Sequence, residues 1–119
     1  MALRVLALVP DLLFGSRVQS MLAGAGHDVV LVSGGSEVSD RIAGADVLVV
    51  DLTDAAFDGI GLVESLQAGG GMHGVRTLGF YSHVEADVRE RALAAGFDVV
   101  VPRSRMAREG AALVEQVAS

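Results

Sequence analysis

Three stretches of the chain repeat one pattern: Gly26-His27-Asp28-Val29-Val30-Leu31-Val32, Gly44-Ala45-Asp46-Val47-Leu48-Val49-Val50 and Gly96-Phe97-Asp98-Val99-Val100-Val101. Each is a glycine, one residue, an aspartate and then an apolar run rich in valine. Glycine can take the left-handed conformation that closes a helix. A short continuous Val/Leu run reads as a strand buried on both faces of a parallel sheet. The pattern therefore predicts helix, tight turn and parallel strand three times over. Two further apolar runs, Leu3 to Val9 and Arg76 to Tyr81, bring the strands to five.

Between these runs the apolar period changes to that of a helix. Phe14, Val18, Met21, Leu22 and Ala25 form one stripe, and Val38 with Ile42 a short second. Leu62, Val63 and Leu66 form a third, Val84, Val88, Ala92 and Ala95 a fourth, and Met106, Gly110, Leu113, Val114 and Val117 a fifth. Ser82 with Glu85 has the spacing of a capping box, and Asp58 and Ser104 are expected N-caps. The segment Gly69-Gly70-Gly71-Met72-His73-Gly74 is expected to be a flexible loop. The whole is an α/β chain, (βα)5, a doubly wound parallel five-stranded sheet expected in the order 2-1-3-4-5.

Composition limits what such a domain does. A length of 119 residues holds one domain, 1–119, with no separate output module. Hydrophobic residues are 51% and aromatics only 4%, so the core is built from Ala, Val and Leu. Nine basic residues stand against 15 acidic ones, a net charge of −6 that repels a nucleic-acid backbone. With no cysteine, disulfides and thiolate chemistry are excluded. Leu3 to Val9 is too short to span a bilayer and leads into Pro10-Asp11 rather than a cleavage site, which reads as a cytoplasmic chain without a membrane partner.

Open parallel sheets bind ligands beyond the carboxyl ends of their strands, where the strand order reverses. In the order 2-1-3-4-5, strands 1 and 3 are neighbours there, roughly 4.8 Å apart. Asp11 and Asp51, which follow them, are then expected side by side. Two carboxylates about 5 Å apart repel by about 3 kcal/mol at an effective dielectric near 20. A divalent cation, a nearby arginine or protonation relieves that repulsion. Mg²⁺ needs only one or two carboxylates, so the pair suffices for a weak site. The competing reading is that each aspartate caps the turn or helix after it.

With these residues in place, the chain resembles the CheY-like receiver domain of two-component response regulators over essentially its whole length. Val47 to Asp51 is similar to the strand leading to the phosphate-accepting aspartate. Asp58-Gly59 falls at the family's Asp-Gly seven residues on, and Ala95-Gly96 resembles the Ala-Gly ahead of strand 5. The resemblance implies that Asp51 is the phosphoacceptor and that Asp11, Asp51 and the Thr53 backbone are the ligands of a weak Mg²⁺ site. It also implies that the surface from Val84 to Val117 meets a protein partner, a histidine kinase or a downstream signalling protein, with a homodimer left open.

The departures from the family pattern are as informative. Pro10 stands where the family has its first acidic residue. The hydroxyl position falls on Tyr81 by an ungapped count and on Ser82 after a one-residue slip. Arg103 replaces the family's lysine, followed by Ser104 instead of proline. Arg103 is expected either to pair with Asp51, filling the space of a metal and phosphoryl group, or to join Arg105 and Arg108 in a solvated basic face.

The expectation is thus an atypical, stand-alone receiver, not an enzyme, that works by protein–protein interaction with weak or absent phosphorylation at Asp51. A purely structural pseudo-receiver with Asp11, Asp51 and Arg103 as a fixed polar cluster is a further reading. The alternative from another class is a small nucleotide- or ligand-binding Rossmann-like protein, for which Ser33-Gly34-Gly35-Ser36 could offer backbone N–H groups to a phosphate. Pro10 to Gly15 is no glycine-rich fingerprint, which counts against it. Among the histidines only His83 is expected near the acidic pair, where it could add a metal ligand, and no serine has a His and Asp arrangement that suggests a nucleophile.

Overall fold

A computed structural model of the chain describes residues 2–54, 57–82 and 86–119. Its elements alternate without exception: β1 (Arg4–Leu8), α1 (Leu12–Gly24), β2 (Asp28–Val32), α2 (Gly35–Arg41), β3 (Val47–Asp51), α3 (Gly59–Ala68), β4 (Arg76–Tyr81), α4 (Ala86–Ala94), β5 (Val99–Pro102) and α5 (Arg103–Ala118). The five strands form one parallel sheet in the order β2-β1-β3-β4-β5, as the sequence predicts.

Because side chains alternate across a strand, each valine run feeds two cores. Val5, Ala7, Val47, Val49, Leu78, Phe80 and Val101 face α1 and α5, packing on Phe14, Val18, Leu22, Met106, Leu113 and Val117. Leu6, Leu8, Leu48, Val50 and Val100 face the other way, onto Val38, Val63, Val88 and Ala92 of α2, α3 and α4 and onto Ile42, the C-cap of α2. This division is what right-handed crossovers produce when the chain reverses direction between β1 and β3. Gly110 belongs to the α5 stripe where α5 packs on α1, and the end of the Met21 side chain of α1 fills the space beside it.

The repeated glycine–aspartate pattern has a structural explanation in two parts. Gly26, Gly44 and Gly96 have φ of 91°, 84° and 108°, the left-handed turn that only glycine takes freely. The aspartates of the second and third repeats then fix strand register. Asp46 Oδ2 accepts the Arg4 amide at 2.8 Å, and Asp98 Oδ2 accepts the Thr77 amide at 2.8 Å while its own amide donates to Thr77 Oγ1 at 2.9 Å. In the first repeat the intervening residue does this work. Buried His27 accepts the Leu3 amide through Nδ1 at 3.2 Å, which leaves Nε2–H to donate to Glu115 of α5 at 2.9 Å. Asp98→Ala is expected to cost about 1–3 kcal/mol, the penalty of stranding the buried Thr77 donors. Urea denaturation checks it, and a loss below about 0.5 kcal/mol would show the clamp to be replaceable by water.

Several expectations are corrected. β2 is an edge strand and is not buried on both faces: Val30 is 42% exposed. Ala25 lies past the end of α1 and is exposed. Ser104 does not cap α5, whose cap lies two residues earlier at Pro102, with no side-chain cap bond. The glycine-rich segment is a chain of turns tied down by Met72, which is buried in the α2–α4 core, and by Gly71 N–H to Leu66 O at 2.8 Å. Asp58 does cap α3, accepting Gly61 N–H at 2.9 Å. His83, Val84 and Glu85, and with them the Ser82/Glu85 capping box, lie outside the described residues. Among the described residues no helix is long and apolar enough to cross a membrane.

Candidate functional site

The register pairs Leu8 of β1 with Val50 of β3, so the chain segments leaving these two strands emerge side by side at the switch point. Asp51 ends β3 and is 2% exposed. Its Oδ1 accepts both the Thr53 amide at 2.8 Å and the Thr53 hydroxyl at 2.6 Å, so this carboxylate closes the turn that follows the strand. Oδ2 has no hydrogen-bond partner among the described residues.

Asp11 is the N-cap of α1. Its Oδ1 accepts Phe14 N–H at 3.0 Å, and its backbone carbonyl accepts Gly15 N–H. Asp11 and Asp51 line one cleft of about 410 Å³ with Pro10, Leu12, Leu13, Thr53 and Asp54. The structure therefore brings the two sequence-predicted aspartates to one place, and each also does the capping work of the competing reading. Asp58-Gly59 supports the same end of the sheet. A Cβ on Gly59 would lie 2.6 Å from Val50 Cγ1, so only glycine lets the capped start of α3 sit this close to β3.

Arg103 does not pair with Asp51. Its Nη2 is 3.7 Å from Asp11 Oδ2, and its Cζ lies 4.1 Å above the centre of the Phe14 ring. The guanidinium leaves the first turn of α5 and crosses onto the first turn of α1, where an aromatic face and a carboxylate await it together. A planar delocalised cation gains from both. Phe14 in turn packs on Phe80, with ring centroids 5.2 Å apart and tilted by 55°. The expected basic face is not formed either, because Arg105 and Arg108 both turn to Glu109, at 3.6 and 3.7 Å.

Strand alternation separates the two hydroxyl candidates. Phe80 faces the α1/α5 core, so Tyr81 points to the opposite layer and packs partly buried against the α2–α4 core. Ser82 returns to the first side and lines a depression of about 550 Å³ with Thr53, Phe14, Arg17 and Arg103. Of the pair, Ser82 is the one beside the cleft.

The donor set fits a divalent cation poorly. No group of three His, Asp or Glu side chains able to hold a metal exists among the described residues. Asp11 has one oxygen committed to its cap and the other facing Arg103, which leaves Asp51 Oδ2 as the free carboxylate oxygen of the pair. His83 lies outside the described residues, so its place relative to this set is undescribed.

Two features were not legible as parts of the site. Phe14 reads in sequence only as a core position, although it also carries Arg103. Leu12 and Leu13, 82% and 87% exposed, are the most exposed large apolar residues described, and their signal was adjacency to Asp11.

No protein-family model matches the chain, and no curated protein matches its sequence. Solved structures do match. The receiver domain of a Francisella response regulator superposes with a TM-score of 0.84 at 19% identity, over 98% of this chain and 96% of that one. The chemotaxis response regulator CheY4 of Vibrio cholerae gives 0.83 at 17% identity, over 98% and 99%. The chain has the receiver fold. A third receiver, from a sensor histidine kinase of Pseudomonas aeruginosa, gives 0.84 at 17% identity over 99% and 98%, and that structure holds a magnesium ion coordinated in its active-site cleft. In the receiver fold of this chain, Asp51 at the end of β3 and Asp11 at the cap of α1 lie at the carboxyl end of the sheet, with Ser82 and Arg103 around them.

Proposed function

We propose that the chain is a cytoplasmic signalling module of the receiver type, atypical in its acidic cleft, that acts by binding a protein partner and is phosphorylated at Asp51 weakly or not at all. The observation that carries this reading is the disposition of Arg103. A receiver-type transfer depends on positioning and charge neutralisation around the attacking carboxylate. Here the cation of α5 is stacked on Phe14 and paired with Asp11, away from Asp51. Asp51 itself is well placed for a nucleophile, buried at a strand end with Oδ2 free of partners among the described residues.

Mg²⁺ is expected to bind only weakly, through Asp51, Asp11 and the Thr53 backbone, because Arg103 competes for Asp11 and Pro10 supplies no carboxylate. The partner surface is proposed along the stretch from Val84 to Val117, where Leu93 of α4 is 37% exposed. The partner class is a histidine kinase or a downstream signalling protein, and a homodimer through the same surface is a variant of this reading.

The test is incubation with Mg²⁺ and acetyl phosphate, followed by intact mass and beryllofluoride titration. The expected result is little or no Asp51-dependent gain of a phosphoryl group over hours. Rapid, stoichiometric modification lost in Asp51→Asn would overturn the degenerate part of the reading and leave an ordinary switch.

A further inference from the structure

A second concave site lies at the opposite end of the sheet, and it follows from a mismatch of lengths. α2 has seven residues, about 10 Å of helix, whereas β1 and β2 have five residues each, about 16 Å of strand. The helix cannot cover the whole face it packs on. It leaves a groove of about 560 Å³ across the amino-terminal halves of β1 and β2, within the size range of small-ligand sites. By alternation, Arg4 and Leu6 on β1 and their register partners Asp28 and Val30 on β2 share this face. Ala43 and Ala45 of the turn after α2 line it too, and Arg41 stands over it from the last turn of α2.

Its chemistry is distinctive for this chain. All nine basic residues are arginines. Five of them, Arg76, Arg91, Arg103, Arg105 and Arg108, lie within 4 Å of a carboxylate. The other four, Arg4, Arg17, Arg41 and Arg89, have no such side-chain partner among the described residues, and two of them, Arg4 and Arg41, line this one groove. The Arg4 guanidinium is held near the turn, since a Cβ on Gly44 would come 3.2 Å from its Nη1. Between the cations Val30 keeps 42% of its surface exposed above the buried Leu6. Two unpaired guanidinium groups flanking an apolar floor complement an anion with an apolar body. Asp28 at the rim opposes a second negative charge.

We propose that this groove binds a small amphipathic monoanion, an aromatic or branched apolar body carrying one carboxylate, sulfonate or phosphate ester. The charged group sits between Arg4 and Arg41, and the body lies on Val30 and Leu6. The site is independent of Asp51 and of the signalling role proposed above.

The test is a titration of the ¹⁵N-labelled chain with naphthalene-2-sulfonate, with neutral 2-naphthol as control. Amide shifts are expected to cluster on Leu6, Val30, Ala43 and Ala45, and 2-naphthol is expected to bind about tenfold more weakly. The double variant Arg4→Gln/Arg41→Gln, both on the surface, is expected to weaken the sulfonate by about tenfold or more while leaving 2-naphthol unchanged. Shifts centred on Leu12 and Leu13, or equal affinity in the double variant, would overturn the site. Vesicles of phosphatidylglycerol give the second arm. No co-sedimentation is expected, and arginine-dependent sedimentation would assign the groove to a lipid surface rather than a free ligand.

Discussion

Phe80→Ala is expected to destabilise the chain by about 3–5 kcal/mol and to lower its melting temperature by on the order of 10–20 °C. Phe80 is fully buried in the middle of the sheet, and only four of the 119 residues are phenylalanine, so the core has few large side chains able to refill the space. Its ring supports Phe14 at 5.2 Å, and Phe14 supports Arg103 at 4.1 Å, so the loss travels from the core to the site. Phe80→Leu keeps most of the volume and is expected to cost less than half as much, which makes it the usable background for a second measurement. In a double-mutant cycle, Phe80→Leu and Arg103→Gln should couple by about 0.5 kcal/mol or more, as contacts that share a partner do. Thermal and urea denaturation of the four proteins read both effects. A cost for Phe80→Ala below about 1 kcal/mol would mean that the aromatic stack is not a packing element.

The topology was legible because each layer of information agreed with the others. Apolar runs, helical stripes and left-handed glycines all pointed to five βα units, and Asp51 fell at a strand end whichever order the strands took. What was not legible depended on contacts far apart in sequence. Val30 looks in sequence like Val49, and it is exposed because it lies on the edge strand β2, on the part of the face that the short α2 does not cover. The choice between Tyr81 and Ser82 needed the knowledge that Phe80 faces α1 and α5, which no local pattern supplies. Arg103 finds Asp11 and Phe14 about ninety residues earlier through the packing of α5 on α1. The expected Ser104 cap failed for a local reason: β5 runs into α5 with no loop between them, so Pro102 already occupies the cap position.

The proposal that Pro10 and Arg103 weaken the chemistry at Asp51 can be tested by installing the residues that the resemblance to receiver domains implies at those positions. Pro10→Asp combined with Arg103→Lys is expected to raise the rate of Asp51 modification by acetyl phosphate and Mg²⁺ by about 10² or more over the unaltered chain, since each electrostatic contact in such a site is typically worth about 10² to 10³ in rate. The two changes act on different terms. Pro10 lines the same cleft as Asp51, so a carboxylate there adds a metal donor that, unlike Asp11, neither caps α1 nor faces Arg103. Lysine at 103 gives up the planar stacking on Phe14 and has a flexible stem that can swing its ammonium toward Asp51. Each single variant is therefore expected to gain less than the pair, with Pro10→Asp chiefly tightening Mg²⁺ and Arg103→Lys chiefly raising the rate at saturating Mg²⁺. Asp51→Asn in the double background must abolish the modification, and circular dichroism must show the fold intact. If the folded double variant is no faster than the unaltered chain, the proposal that Pro10 and Arg103 set the reactivity of Asp51 is overturned, and Thr53, whose amide and hydroxyl hold Asp51 Oδ1, is the next residue to vary.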